Sequence, residues 1–310
     1  MPDSEDELSA ASLANAGIDV IRSYEDAATA IGRLDATGRL ASAGLRELLV
    51  LRCIATPDAA SHDRMIALVR EDGERDDPLR IYAEGLRHGA ARARGGALTS
   101  VASLHELLRV PAPERMSDPL DALLRDSRER TPPVLKAALA AHAIRESPVA
   151  GEDESKTSRL AALAVTLVLC VGGATTDAWL SLPRPSGAAD LSLRGTFAAL
   201  AREARAAERA LFSARDLCDA DEERVREALG RAAYSALDVL ALLCEQLVIT
   251  VPETARALGQ TPPTTGAAVA RLVELGIATE VTGRARSRAF AYEGIVRAFA
   301  PGHGVNGSRQ

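Results

Sequence analysis

Apolar residues recur along most of this chain at the three- and four-residue intervals of a helix. Two stretches, 132–144 and 155–171, are apolar nearly all round, which is typical of helices at the centre of a core. Strand-like alternation is rare, so the pattern predicts a mainly α protein. The amphipathic helices that it predicts in the first half of the chain cover residues 25–37, 43–54, 77–93, 99–108 and 119–128.

A loop and two long helices are predicted in the second half. Two prolines and a glycine in LPRPSGAAD (182–190) predict the loop. The Ala-, Arg- and Glu-rich periodicity that follows predicts helices at 193–217 and from 222 to about 245, the second supported by an i,i+4 pair of Glu222 and Arg226. Inside this second helix the pattern changes, and we place the start of a compact C-terminal domain at Ala236.

The C-terminal segment, residues 236–300, has the order typical of a winged helix-turn-helix, in which a β-hairpin follows the helix pair. Gly259 and Gly276 stand where each helix of the pair would need a left-handed residue at its end. The predicted elements are a helix at 237–243, a strand at 248–250, helices at 251–258 and 264–275, and strands at 278–281 and 289–292.

This segment also offers side chains suited to double-stranded DNA. A helix of this kind enters the major groove, and arginines at every second residue of a hairpin share one face, from which they contact phosphates or the minor groove. The predicted DNA-contacting residues lie on the exposed face of the second helix and at the hairpin tip: Thr264, Thr265, Arg271, Arg284, Arg286 and Arg288.

Charge leaves a second interpretation of the segment open. Between residues 236 and 299, six acidic residues balance six arginines, and the whole chain has a formal net charge of −6. A globally basic nucleic-acid coat is therefore excluded. A winged helix that serves only as a protein–protein or dimerisation module is the alternative.

Composition limits the class of protein further. A chain of 310 residues with 47% hydrophobic and 26% charged content can bury a substantial core, so overall disorder is excluded. No apolar run reaches the about 18 residues of a membrane span. The acidic start MPDSEDELSA shows no secretory signal. The four cysteines are far apart and no histidine stands at metal-ligand spacing, so we expect free thiols in a reducing cytoplasm, no metal and no cofactor.

The C-terminal residues resemble a known family. The sequence VITVPETARALGQTPPTTGAAVARLVELGIATEVTGRARSRAFAY (248–292) is similar to the winged helix appended to many bacterial Fic (Fic/Doc-fold) proteins. The Leu104-His105 pair and PPVLKAALAAH (132–142) are similar to helices of the Fic body. The resemblance implies a Fic-like helical bundle at 16–235 before the winged helix-turn-helix domain at 236–300. The polar or Gly/Pro-rich ends of the chain predict disordered tails at 1–15 and 301–310.

The active-site motif of that family, HPFxxGNGRxxR, is degenerate in this chain. In the family its histidine deprotonates a target hydroxyl. Here the corresponding sequence is ESPVAGEDESKTSR (146–159), in which Ser147, Pro148 or Val149 stands at the histidine position. None of these can act as a general base near neutral pH. The resemblance therefore implies a pseudoenzyme without catalytic residues.

The phosphate-binding part of the motif is altered as well. Lys156 and Arg159 keep the spacing of the two motif arginines, but the acidic run that includes Glu154 replaces Gly-Asn-Gly. Carboxylates repel a triphosphate that would need backbone N–H groups there. These acids also complement the dipole of the helix predicted to start near Ser155, which is the more ordinary interpretation of them.

The leading prediction is a bacterial transcription regulator that binds double-stranded DNA in the cytoplasm as a homodimer. Its inactive Fic-like body would dimerise or sense a protein partner. Two alternatives remain open. One is a Fic-type protein AMP-transferase with a divergent active site, in which Lys156 and Arg159 bind the ATP phosphates; the other is a non-enzymatic scaffold for protein partners.

Overall fold

A computed structural model describes residues 17–54, 62–69, 83–86, 90–91, 131–146, 154–180, 182, 192–283 and 288–299. These residues are mainly helical with one small antiparallel sheet, which confirms the mainly α prediction. Among the described helices, none combines the length and the apolar composition needed to cross a membrane. The two predicted tails lie outside the described residues.

The described chain divides into two compact units, residues 1–39 with 75–208 and residues 40–74 with 209–310. The predicted domain 236–300 lies within the second unit. The helices are α1 (Ile18–Leu40), α2 (Ala43–Ile54), α3 (His62–Val69), α4 (Pro133–Glu146), α5 (Glu154–Val171), α6 (Leu193–Leu229), α7 (Tyr234–Gln246), α8 (Val251–Leu258), α9 (Pro262–Glu274) and α10 (Glu293–Phe299). The strands are β1 (Val248–Thr250), β2 (Thr279–Glu280) and β3 (Ala289–Ala291).

The first unit contains a tightly packed pair of apolar helices, α4 and α5. Every residue from 161 to 170 in α5 is buried, which confirms that this helix is central to its core. Gly172, just beyond α5, lies against the start of α4, since a Cβ added there would be 2.6 Å from the Cβ of Pro133. Any larger residue at position 172 would push the two helices apart.

Helix α1 is joined to other parts of the first unit by an aromatic contact and by a buried carboxylate. The ring of Tyr24 meets that of Phe197 in α6 edge to face, at a centroid distance of 5.6 Å. Asp35, which is only 8% exposed, accepts hydrogen bonds from the backbone N–H of Thr176 at 2.5 Å and from its hydroxyl at 3.2 Å. The segment after α5 is thereby held to α1.

Two helices cover residues 193–246, as predicted, but the predicted break between residues 217 and 222 is wrong. Helix α6 runs without a break to Leu229, and the chain turns only at Gly230, whose φ is +51°. A 3₁₀ turn at Gly230–Ala232 then leads into α7. Residues 218–221 contain no glycine or proline that would stop the helix there. Asp221, in this stretch, accepts a hydrogen bond from the buried Tyr292 hydroxyl.

From α7 onward, the second unit has the order helix, strand, helix, helix, hairpin and helix. Strand β3 lies between β1 and β2 and is antiparallel to both, so the sheet order is β1-β3-β2. Phe290 pairs with Ile249 on one side and with Glu280 on the other. Helices α8 and α9 lie between β1 and β2 in the chain. The bounds of β1 and β2 are close to the predicted ranges.

Helix α7 is the centre of the second unit. It packs against α9 and also against α2, which is far away in sequence. The approach of α2 depends on Gly44, because a Cβ there would lie 2.6 Å from the carbonyl oxygen of Glu245. Ser42 caps α2 and donates a hydrogen bond to the Cys244 carbonyl at 3.3 Å. Residues 40–54 are therefore part of the unit that contains the helix pair.

Candidate nucleic-acid interface

The two helices of the pair begin at threonine caps. The Thr250 hydroxyl accepts the N–H of Glu253 and the Thr261 hydroxyl accepts the N–H of Thr264, each at 3.4 Å. Proline follows each cap in the first helical turn, where its missing N–H costs nothing. Helix α8 ends at Gly259, whose φ of +62° confirms the predicted left-handed turn.

The turn between α8 and α9 is held by Gln260. Its amide nitrogen donates to Asp238 in α7 at 3.1 Å, and its amide oxygen accepts the Thr265 hydroxyl at 3.3 Å. One side chain thus connects α7 with the first turn of α9. Nothing in the sequence indicates this role, because a glutamine in a turn reads the same whether its side chain is solvated or hydrogen-bonded.

The inner face of α9 differs from the predicted one. Thr265 is fully buried, so its assignment to the exposed DNA-contacting face is wrong. It occupies the first position of a buried stripe that continues with Ala268, Val269 and Leu272. A threonine can take this position because Gln260 satisfies its hydroxyl.

The outer face of α9 is composed mainly of small and apolar side chains. Ala267 and Val273 are exposed, Val273 by 39%. Thr264 is exposed as predicted, and its hydroxyl shares a hydrogen bond of 2.8 Å with that of Thr261. The exposed residues of α9 are Pro262, Pro263, Thr264, Ala267, Ala270, Val273 and Glu274.

Two arginines form hydrogen bonds that link the C-terminal half of α9 to neighbouring segments. Arg271, a predicted DNA contact, is half-buried and donates from Nη1 to the Ala232 carbonyl at 3.0 Å. Arg224 in α6 donates from Nη2 to the Leu275 carbonyl, just after α9, at 2.8 Å. Arg271 therefore helps to position α9, a role that its spacing alone did not predict.

The wing, residues 281–288 between β2 and β3, is described at its two ends. The exposed Arg288 lies 3.6 Å from the Glu280 carboxylate, a weak surface ion pair that joins the two strands. The Thr282 hydroxyl accepts the N–H of Ala289 at 3.3 Å. Arg284 and Arg286 lie outside the described residues, so the prediction that the wing arginines share one face stays a prediction.

A buried tyrosine supports the base of the wing. Tyr292 directly follows β3, is only 1% exposed and donates its hydroxyl proton to Asp221 in α6 over 2.5 Å. Its N–H donates to the carbonyl of Leu247, whose backbone has a φ of +66°. Burial, together with the hydrogen bond to Asp221, raises the pKa of Tyr292 above its ordinary value. Neither Tyr292 nor Asp221 stands out in the sequence, because the bond joins residues far apart in the chain.

The residues of the degenerate Fic motif are only partly described. Glu154, Lys156 and Arg159 lie in the first turns of α5, while Ser147 and Pro148 lie outside the described residues. Within the described part of the chain, no three His, Cys, Asp or Glu side chains are grouped to hold a metal ion. No protein-family model matches the chain, and no curated protein matches it either. The Fic resemblance and its implications therefore stay predictions.

Proposed function

We propose that α7 to α10 form a winged helix-turn-helix that binds double-stranded DNA, and that the protein regulates transcription. The observation that carries this proposal is the sheet order β1-β3-β2 with a capped helix pair between β1 and β2. In this order the β2–β3 hairpin follows α9 directly, as a wing follows a recognition helix. The fixed turn at Gln260 supports the same interpretation, since groove binding needs a helix at a set angle.

The dimensions and charge of α9 suit the major groove. Its 13 residues span about 20 Å, and the groove of B-DNA, about 12 Å wide, admits a helix. Its first turn has no acidic residue, and Glu274 at the far end is its only carboxylate.

The wing supplies the cationic contacts of the proposed interface. It contains three arginines and no acidic residue. Arginine neutralises phosphates and releases condensed counterions, which supplies most non-specific affinity for DNA. Because Arg288 pairs with Glu280, we assign the main phosphate contacts to Arg284 and Arg286.

We further propose that two copies of the chain bind together. A single DNA-binding module of this size buries only about 600–1,000 Å² of protein surface, which favours two half-sites for tight binding. The remaining helices would then serve dimerisation or the sensing of a partner. Light scattering of the purified protein, alone and with DNA, tests this part of the proposal through the measured mass.

A mobility-shift assay on random-sequence duplexes of about three helical turns tests DNA binding. The wild-type protein should shift them, and Arg286→Glu should weaken binding about tenfold because one attraction becomes a repulsion. Arg215→Glu is the matched control: it makes the same charge change at an exposed position of α6, outside the helix pair and the wing. Equal losses in the two variants, or a wild-type protein that shifts no duplex, would contradict the proposal.

A further inference from the structure

Two cysteines that are far apart in the sequence lie side by side in the second unit. The thiols of Cys218 in α6 and Cys244 in α7 share a side-chain hydrogen bond, and both are free. Both residues are half-buried, whereas the other two cysteines, Cys53 and Cys170, are buried. The adjacent thiols are therefore also the ones that a small molecule can reach from the solvent.

Contacts of Tyr292 hold the same two places of α6 and α7 together. The Tyr292 hydroxyl lies 3.3 Å from the carbonyl oxygen of Leu217, the residue before Cys218. Its backbone N–H donates to the Leu247 carbonyl, just after the end of α7, at 2.8 Å. The contact between the two thiols is thus supported by hydrogen bonds that involve neither sulfur.

The surroundings of the pair give the two thiols different roles. The hydrogen bond with Cys218 raises the pKa of Cys244, and burial and the carboxylates of Asp221 and Glu222 raise it further. A thiol attacks an oxidant as its thiolate, so Cys218 is the thiol that reacts first. Once the Cys218 sulfur is oxidised, the hydrogen bond that held the Cys244 proton is lost, and Cys244 can attack that sulfur.

We propose that a peroxide converts Cys218 and Cys244 into a reversible disulfide between α6 and α7. In the first step the peroxide O–O bond breaks: one oxygen forms a sulfenic acid on Cys218, and the other leaves as water with the thiol proton. In the second step Cys244 attacks the sulfenic sulfur, the S–S bond forms, the S–O bond breaks, and a second water leaves. The two sulfurs lose two electrons, which reduce the peroxide. This proposal does not depend on DNA binding.

The disulfide would join the two helices that hold α9. In α7, Asp238 accepts the hydrogen bond from Gln260, in the turn before α9, at 3.1 Å. In α6, Arg224 donates to the Leu275 carbonyl, just after α9, at 2.8 Å. A covalent link between α6 and α7 therefore restrains both supports of this helix, and the redox state of the pair acts on the helix pair whatever partner that pair binds.

Mass spectrometry of the full-length protein before and after treatment with hydrogen peroxide tests the proposal. We expect a loss of about 2 Da, for the two thiol hydrogens, that dithiothreitol reverses, and a linked pair of peptides containing Cys218 and Cys244. Cys53→Ala, which removes a thiol outside the pair, is the matched control and should lose the same mass. Cys244→Ala should not lose it, and dimedone, which traps sulfenic acids, should label Cys218 in this variant.

Three results would overturn the proposal. The first is a folded wild-type protein whose mass peroxide leaves unchanged, under conditions in which the urea-unfolded chain is oxidised. The second is a disulfide that joins other cysteines or two copies of the chain. The third is dimedone labelling of Cys244 in Cys218→Ala without labelling of Cys218 in Cys244→Ala. Thermal unfolding shows that each variant is folded, and the peptide map of the wild-type protein needs no variant.

Discussion

Single side chains decide how the helix pair and the wing are held in place. Gln260 links α7 to α9, Arg271 and Arg224 hold the C-terminal half of α9, and Tyr292 joins the end of β3 to Asp221 in α6. All four have polar groups that sequence analysis treats as solvent-exposed by default. Their partners lie far away in the chain, so only the folded structure identifies them.

Tyr292 should make the stability of the protein sensitive to alkaline pH. Its pKa is raised in the folded chain, so the unfolded chain loses this phenolic proton first, above pH about 10. The free energy of unfolding therefore falls as the pH rises past about 10, with this group contributing up to about 1.4 kcal/mol per pH unit. Below about pH 10 the contribution is constant.

Urea unfolding of the wild-type protein and of Tyr292→Phe over this pH range measures the effect. The variant lacks the phenol, so the stability difference between the two proteins should narrow above pH about 10. Other groups, including Cys244, whose pKa is raised by its hydrogen bond with Cys218 and by burial, titrate in both proteins. If the free energies of unfolding of the two proteins fall in parallel as the pH rises, Tyr292 is not the group that makes stability depend on alkaline pH.

At the scale of elements, the predictions succeeded where local chemistry sets the boundary. The range of α2 matches the predicted one, as does that of α8, whose threonine cap and glycine end are visible in the sequence. Two errors have different origins. The break predicted after 217 has no glycine or proline to support it, whereas the burial of Thr265 depends on a hydrogen bond to Gln260.

Two glycines of the helix pair should respond in opposite directions to alanine. Gly259 has a φ of +62°, which a Cβ disfavours, so Gly259→Ala should destabilise the protein by about 1 kcal/mol. Gly266 lies inside α9, and a Cβ there meets nothing nearer than Val251 Cγ1 at 3.9 Å. Gly266→Ala should therefore stabilise the protein by up to about 1 kcal/mol. Chemical denaturation gives both values, and changes of equal sign would contradict this account of the two sites.

At the scale of the whole molecule, sequence reasoning found the C-terminal segment but not all that packs with it. Residues 40–54 belong to the same compact unit. Gly44 lies against the Glu245 carbonyl, and Arg52 donates to the Phe299 carbonyl at 3.2 Å. No local pattern encodes such contacts. The candidate interface was predictable as a helix pair with a wing, whereas its apolar outer face was not.

The salt dependence of DNA affinity distinguishes a wing that contacts phosphates from one that does not. For the wild-type protein the logarithm of the affinity should fall linearly with the logarithm of the salt concentration, by about 0.9 for each phosphate contacted. Replacing Arg284, Arg286 and Arg288 by alanine should make this slope shallower by about 2 to 3 units. An affinity independent of salt, or a slope that the triple variant leaves unchanged, would contradict the assignment of the wing to DNA.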